Sequence, residues 1–481
     1  MVARHRSVLT LACAVAMIAT SAFVAHGDGS PVAVPRAQCG PNDDPESGIQ
    51  GRVSTDDVQS GRAERGYTCN TELVGRHGTT QFTGGAGGYK VFRYIDEAGR
   101  ECAYYDSTLL YPLNAPRPAT DLVGVIVLDM TDPTAPQKTA NLVTPAMQSP
   151  HESMSINVER GLLAAAMGNP VFKPGFVDVY DLSEDCRYPV LLSSTPMGIL
   201  GHEGAFSPDG MTYWVTSTNL GFITAIDLTD PTVPSIVWTT RGIGIHGFSI
   251  SDDGTRFYGA NAARPGLTIL DVSQVQLRAP DPVVTEVSHI TWPNVSIPQH
   301  TIPVMIDGKR YLIEIDEFAR GTAGDPSSQI GAARIVDISD DRNPVIVSDL
   351  RLEVHQAENI PVIRDDPGAQ WGLGGYTGHY CSVPQGHEPG IVACSFILSG
   401  MRVFDIRDPR APKEIAYFNV PIPRTEGIPG GSNGSITPHA AYAMSAPAFA
   451  PDRSEIWYTD GTAGFFNVRL RSEIWPPNAQ G

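Results

Sequence analysis

One phrase recurs along this chain and restricts what it can become. A β-branched run ends in Asp, and a turn follows, usually with a Pro in it. It reads VGVIVLDMTDPTAPQ around Asp129, GFVDVYDLSEDCRYP around Asp181 and GFITAIDLTDPTVPS around Asp227. It returns as GLTILDVSQVQLRAP (Asp271), AARIVDISDDRNPV (Asp337) and MRVFDIRDPRAPKE (Asp405). GFFNVRL, with Asn467 in the Asp place, is a worn seventh copy. An Asp carboxylate accepts backbone N–H groups in a turn, and Pro presets φ. A short apolar run such as PSIVWTT or KEIAYFNV follows and reads as one more strand.

The shorter spacings between copies fit the roughly 40–50 residues of a four-stranded propeller blade, and the longer ones add loops. The 48 Gly and 40 Pro are spread along the chain, and short alternating apolar runs lie between them. That pattern is all-β. Seven copies predict a seven-bladed β-propeller. The last copy has no outer strand after it, whereas CNTELVGRH near the N-terminus reads as an outer strand with no blade ahead of it. The N-terminal strand is therefore expected to complete blade seven and close the ring, which hides the exposed edges. The expected division is a signal peptide over 1–27, an N-terminal arm over 28–68, the propeller over 69–472 and a C-terminal tail over 473–481.

The recurring phrase resembles the LVIVD repeat of bacterial and archaeal surface and secreted proteins, over roughly residues 70–470. The resemblance implies a β-propeller. It implies no particular activity.

Arg4 and Arg6 precede the apolar stretch VLTLACAVAMIATSAFVA, and AHG ends at Gly27 as a small-residue cleavage site. This reads as a secretory signal, so the protein is expected to be secreted or held at the cell surface. Cys39, Cys69, Cys102, Cys186, Cys381 and Cys394 remain, an even number that suggests three disulfides. Only Cys381–Cys394 is assigned, because the two face each other across one hairpin; the other pairings stay open. With 52 acidic against 34 basic residues, neither nucleic acid nor an anionic membrane is an expected partner. No later apolar run is long enough to span a membrane. A monomer that takes a small-molecule substrate or a surface ligand is expected.

A histidine keeps returning to one place in the repeat. His202, His246 and His300 each stand seven residues before a turn Asp, at Asp209, Asp253 and Asp307. His151 stands before Glu159 in the same way. His379 opens HYCSVPQGHEPGIVACSF and His439 opens HAAYAMSAPAFAPDRSEIWYTD. In a propeller, one place in each repeat becomes a ring around the channel, here just before the innermost strands. Blade one carries no such His in YKVFRYID, and His77 is a weaker seventh candidate. His289, His355 and His387 fall outside the register.

Ancestry of the repeat, or imidazoles bonded to carbonyls, would account for the ring structurally. The functional reading is a metal site, since neutral imidazole binds transition metals; copper is the first choice, with iron and zinc next. Six imidazoles exceed one tetrahedral ion. Either three or four hold one metal and the rest stand behind, or the ring holds a cluster. Glu152 and Glu203, each following a ring His, read as surface charge before they read as groups orienting an imidazole. Glu314, Asp316 and Glu317 in EIDEF read as a solvated loop. No nucleophile elbow, zincin helix, P-loop or dinucleotide fingerprint occurs. The expected function is a metal-dependent oxidoreductase acting on a small molecule. The competing classes are a non-catalytic binding scaffold and a propeller-type lyase with His as acid or base.

Overall fold

The computed structural model describes residues 32–78, 87–107, 124–168, 175–199, 201–217, 221–321, 325, 327–370, 374–424 and 440–475. The signal segment 1–27, His439 and residues 476–481 lie outside the described residues. The described chain forms seven antiparallel sheets around one axis, each in the strand order of a propeller blade. Blade 1 runs through Val91–Ile95, Glu101–Asp106, Val125–Asp129 and Gln137–Leu142. The innermost strands of blades 2 to 7 are Ser155–Asn157, Gly204–Phe206, Ile245–Ile250, Ile297–Ile306, Gly378–Ser382 and Ala448–Ala450.

Burial explains why the strands carry the residues they do. Second strands such as Leu162–Ala166 and Ile391–Phe396 are buried throughout, so their sequences are continuously apolar. Outermost strands such as Ser235–Arg241 are largely open to solvent and mix polar with apolar residues. The repeat Asp does what its turn requires. Asp129, Asp181, Asp227, Asp271, Asp337 and Asp405 each accept the backbone N–H two residues on, at 2.8–3.1 Å. This turn leads from the third strand of a blade to its fourth.

Blade seven departs from the sequence reading in one detail. The residue paired with Glu455 at the end of the third strand is Arg469, not Asn467. Among the described residues no strand follows there, so no Asp turn joins one, and Arg469 instead ion-pairs with Glu455 at 2.8 Å. The fourth strand is Thr71–His77, antiparallel to Gly464–Leu470, and it closes the ring as expected. A short strand just before it, Tyr67–Cys69, adds a fifth strand to blade six beside Lys413–Asn419. Three residues carry too little pattern for that addition to be expected.

The arm ahead of these strands is held by charge as well as by pairing. Arg402, fully buried on blade six, ion-pairs with Glu46 of the arm and with Glu414, and its guanidinium lies 4.4 Å from the Tyr417 ring. Cys381 and Cys394 are direct cross-strand partners and form a disulfide. Cys39–Cys69 ties the arm to its short strand, and Cys102–Cys186 ties blade one to blade two. Three disulfides fit an oxidising compartment. Among the described residues no helix is long and apolar enough to cross a membrane.

Candidate metal centre

Strand pairing fixes which residues share a level of the channel. In blades 1, 3, 4, 5 and 6 the repeat Asp pairs with Cys102, Thr212, Arg256, Tyr311 and Ile391. Further along those second strands Tyr105, Val215, Gly259, Glu314 and Cys394 pair with Val91, Gly204, Phe248, Thr301 and Cys381 of the innermost strands. The residues two before these partners are Tyr89, His202, His246, Gln299 and His379. The residues one before them are Lys90, Glu203, Gly247, His300 and Tyr380. The same count in blade 2 puts Glu152 at the first level and Ser153 at the second. In blades 4, 5 and 6 the register slips at this place, which marks a β-bulge. A bulge re-aims side chains, and bulges gather next to functional sites.

The sequence-predicted ring therefore splits. His202, His246 and His379 occupy the first level. His151 stands one residue ahead of Glu152 with φ at +53°, a left-handed backbone uncommon outside Gly. Gly168 makes room for it, since a Cβ there would sit 2.2 Å from the His151 Cβ. His300 belongs to the second level, because it stands one residue rather than two before the paired Thr301, which leaves the first-level place to Gln299. His439 lies outside the described residues. His77 is on the closing outer strand with Nδ1 2.9 Å from the Tyr105 hydroxyl.

The first level is a tight cluster around Glu152. The imidazole rings of His151 and His202 are 4.3 Å apart, those of His202 and His246 4.4 Å apart, and Tyr89 lies 4.5 Å from His151. Glu152 Oε2 is 3.2 Å from His202 Nε2 and 3.6 Å from His246 Nε2. Its Oε1 is 3.6 Å from His379 Nε2 and accepts from Gln299 Nε2 at 2.6 Å. Glu317 adds a second carboxylate, 3.2 Å from His379 Nε2 and 3.4 Å from His246 Nδ1.

Two reading errors are corrected here. Glu152 and Glu203 are not surface charge; their side chains are 1% and 0% exposed. Nor is EIDEF a solvated loop: Glu314 and Asp316 are fully buried against Arg334, and Glu317 faces the imidazoles. A period-two strand points neighbours oppositely, so a Glu beside a ring His was assigned outward. The innermost strands of blades 2 and 3 begin only at Ser155 and Gly204, so Glu152 and Glu203 stand ahead of the strand and its alternation does not govern them.

Backbone carbonyls set two of the imidazoles. His379 Nδ1 is 2.8 Å from the Met444 carbonyl oxygen and His246 Nδ1 is 3.1 Å from that of Pro298. A carbonyl only accepts, so each Nδ1 carries a hydrogen and each Nε2 turns inward. This is how metal-binding imidazoles are usually oriented. For His379, the inward Nε2 faces two carboxylates and has no hydrogen bond. His151 Nδ1, His202 Nε2 and Glu152 Oε2 are likewise buried without a hydrogen bond. Lone pairs facing carboxylate oxygens need a cation between them, a proton or a metal ion.

The electrostatics follow. Burial would raise the Glu152 carboxyl, but the imidazoles, His202 foremost, hold it well below the usual range. Burial would lower His202 and His379; the Glu152 charge for the first and the Glu317 carboxylate for the second outweigh it, so both are raised. Burial, with the neighbouring His202 charge, pushes His151 down to about 3. His151 is thus a neutral, ligand-competent imidazole.

The second level plugs the channel. Glu203 is 3.0 Å from Lys90 Nζ, 2.7 Å from His300 Nδ1, and accepts from the Tyr380 hydroxyl at 3.2 Å. A Cβ on residue 247 would lie 1.9 Å from Glu203 Oε2, so only Gly247 admits this carboxylate. Beyond the plug is a cavity of about 470 Å³ with Lys90, Glu203 and His300 at its polar end and Phe92, Phe206, Phe248 and Phe449 in its walls. Lys90 and Gln299 were not foreseen as site residues; the Glu after each of two ring histidines was weighed as an imidazole partner and set second to surface charge.

Compared by sequence, the chain matches no family model and no curated protein. Solved structures are similar in shape. A protein from Lactobacillus plantarum superposes with a TM-score of 0.47 at 11% identity, over 72% of this chain and 86% of its own. The β-propeller domain of Cps50 (Swd1) from Myceliophteria thermophila gives 0.47 at 9% identity, over 83% and 98%. The periplasmic gluconolactonase PpgL of Pseudomonas aeruginosa gives 0.43 at 13% identity, over 72% and 92%. Likenesses this distant transfer neither a substrate nor a metal.

Proposed function

We propose that this chain is an exported β-propeller enzyme of the LVIVD-repeat type, in which the first level of the channel holds a transition metal that oxidises a small molecule. The observation that carries the reading is His379. Its Nδ1 is committed to a carbonyl while its buried Nε2 faces Glu152 and Glu317 without a hydrogen bond. His151, His202 and His246 complete the donor set.

Imidazole ligands in an exported protein make copper the first choice on sequence. The carboxylates widen the choice, because two imidazoles with one carboxylate suit non-haem iron, and zinc accepts the same donors. Iron or copper would supply the redox change. The chain itself would orient the imidazoles through Met444 and Pro298 and close the channel behind them with Lys90, Glu203, His300 and Tyr380. Three buried carboxylates near the ring disfavour an anionic substrate. The same carboxylates favour one second reading, metal-assisted hydrolysis, with Glu317 or Glu152 taking a proton from water.

Elemental analysis of the exported protein beside a His202→Ala/His246→Ala variant tests the proposal. Bound iron, copper or zinc that falls at least tenfold in the variant is expected. A wild type that binds no metal after loading under oxidising and reducing conditions leaves the binding scaffold or the lyase. Zinc alone, with turnover of an ester or lactone and none of an oxidisable substrate, selects hydrolysis.

A further inference from the structure

Glu152 offers its two oxygens to different imidazoles. Oε2 faces His202 and His246, at 3.2 and 3.6 Å. Oε1 faces His379 at 3.6 Å. The donor atoms sort the same way. One atom each from His151, Glu152 and His202 lie within 4.8 Å of one another, and so do one each from Glu152, Glu317 and His379. The two groups have Glu152 in common and nothing else.

Resting on the metal reading above, we infer that the channel holds two metal ions bridged by the Glu152 carboxylate. His151, His202 and His246 would serve the ion on the Oε2 side. His379 and Glu317 would serve the ion on the Oε1 side, next to Gln299. Each half has its own buried nitrogen without a hydrogen bond: His151 Nδ1 and His202 Nε2 in one, His379 Nε2 in the other. His379 is 0% and Glu152 1% exposed in the side chain.

The strand register supports the assignment independently. Blade 2 is out of step with blades 3, 4 and 6. It places a carboxylate where they place an imidazole, and puts its own His151 one residue earlier in a left-handed backbone. A carboxylate can also serve a single ion from one oxygen, but here both oxygens of Glu152 face imidazoles, Oε2 towards His202 and His246 and Oε1 towards His379. A bridged pair needs that arrangement, because a carboxylate between two ions offsets their mutual repulsion and holds them about 3.5–4 Å apart. Gln299, the first-level residue of blade 5, steadies it by donating to Oε1 at 2.6 Å.

The test uses the full exported chain, stripped with a chelator and titrated with Mn²⁺ alone. Elemental analysis counts ions per chain, and low-temperature electron paramagnetic resonance reports whether they are coupled. Two ions per chain with an exchange-coupled spectrum are expected. His202→Ala and His379→Ala should each bind one ion and give the spectrum of isolated Mn²⁺. Glu152→Gln should lose the coupling. One ion in the wild type overturns the pair and leaves the single-metal reading standing. Two ions with an uncoupled spectrum overturn the bridge. No ion overturns this inference, and the metal reading then stands or falls on the iron, copper and zinc analysis above. The wild-type count and spectrum decide the matter even if a variant fails to fold.

Discussion

Burial decides the protonation of Asp106, at the end of a second strand in blade 1. Its Oδ1 accepts the Tyr89 backbone N–H at 2.9 Å, yet burial pushes the carboxyl up to about 7. The unfolded chain releases this proton near pH 4. Between about pH 4 and 7 the folded form therefore holds a proton that the unfolded form has lost. Stability falls as pH rises through that window, by up to about 1.4 kcal/mol per pH unit from this group, and levels off above it. Asp106→Asn should flatten that slope and leave the protein more stable than wild type above pH 7. Urea unfolding of both at pH 5, 6 and 8 checks it; parallel pH profiles would refute it. Much of the candidate site was legible at this scale. His151, His202, His246 and His379 were visible because imidazole recurred at one place. His300 was placed one level too high, and Glu152 and Glu203 were turned outward. Both glutamates precede the strands that begin at Ser155 and Gly204, where period-two counting does not apply.

Elements repeat with less fidelity than the motif suggests. The Asp turn predicted the joint between third and fourth strands in six blades, and its decay to Arg469 in the seventh follows from there being nothing to join. The disulfides show what pairing alone reveals. Cys381 and Cys394 were readable as hairpin partners, whereas Cys102 and Cys186 come together only through the packing of two blades. Their sequence separations are 13 and 84 residues. Chain entropy then assigns about 3 kcal/mol to the first bridge and about 4.5 kcal/mol to the second. Replacing both cysteines of each pair with Ser should destabilise in that order, measured by denaturant unfolding. Equal losses, or the reverse order, would mean native packing outweighs the closed loop.

At the scale of the whole molecule, the ring is held shut by its N-terminal segment. Removing residues 32–77 exposes the edge of Gly464–Leu470 and the outer edge of blade six, and leaves Arg402 with Glu414 alone. Unpaired edges recruit other chains. The shortened protein should associate more than the full chain as concentration rises, as light scattering of both would record; a truncated form that associates no more than the full chain would show that the other six blades suffice. The number of blades and the manner of closure were legible in the sequence, because repeats count themselves and a spare strand must go somewhere. The fifth strand on blade six was not, since three residues carry too little pattern.

Closure by the first strand also sets an order of events. Glu72 meets Arg469, 397 residues later in the chain. During synthesis or passage through a membrane, Thr71–His77 emerges early and waits for nearly the whole protein before its partner exists. Until then blade seven has no outer edge, and a long-range pairing of this kind is slow to form. The candidate donors lie on blades two to six, with Met444 behind His379, and none of them is on Thr71–His77. If the metal reading holds, metal capture and ring closure would be separable in time. A chain caught between them would then hold its ions while still exposed to proteolysis at its two ends.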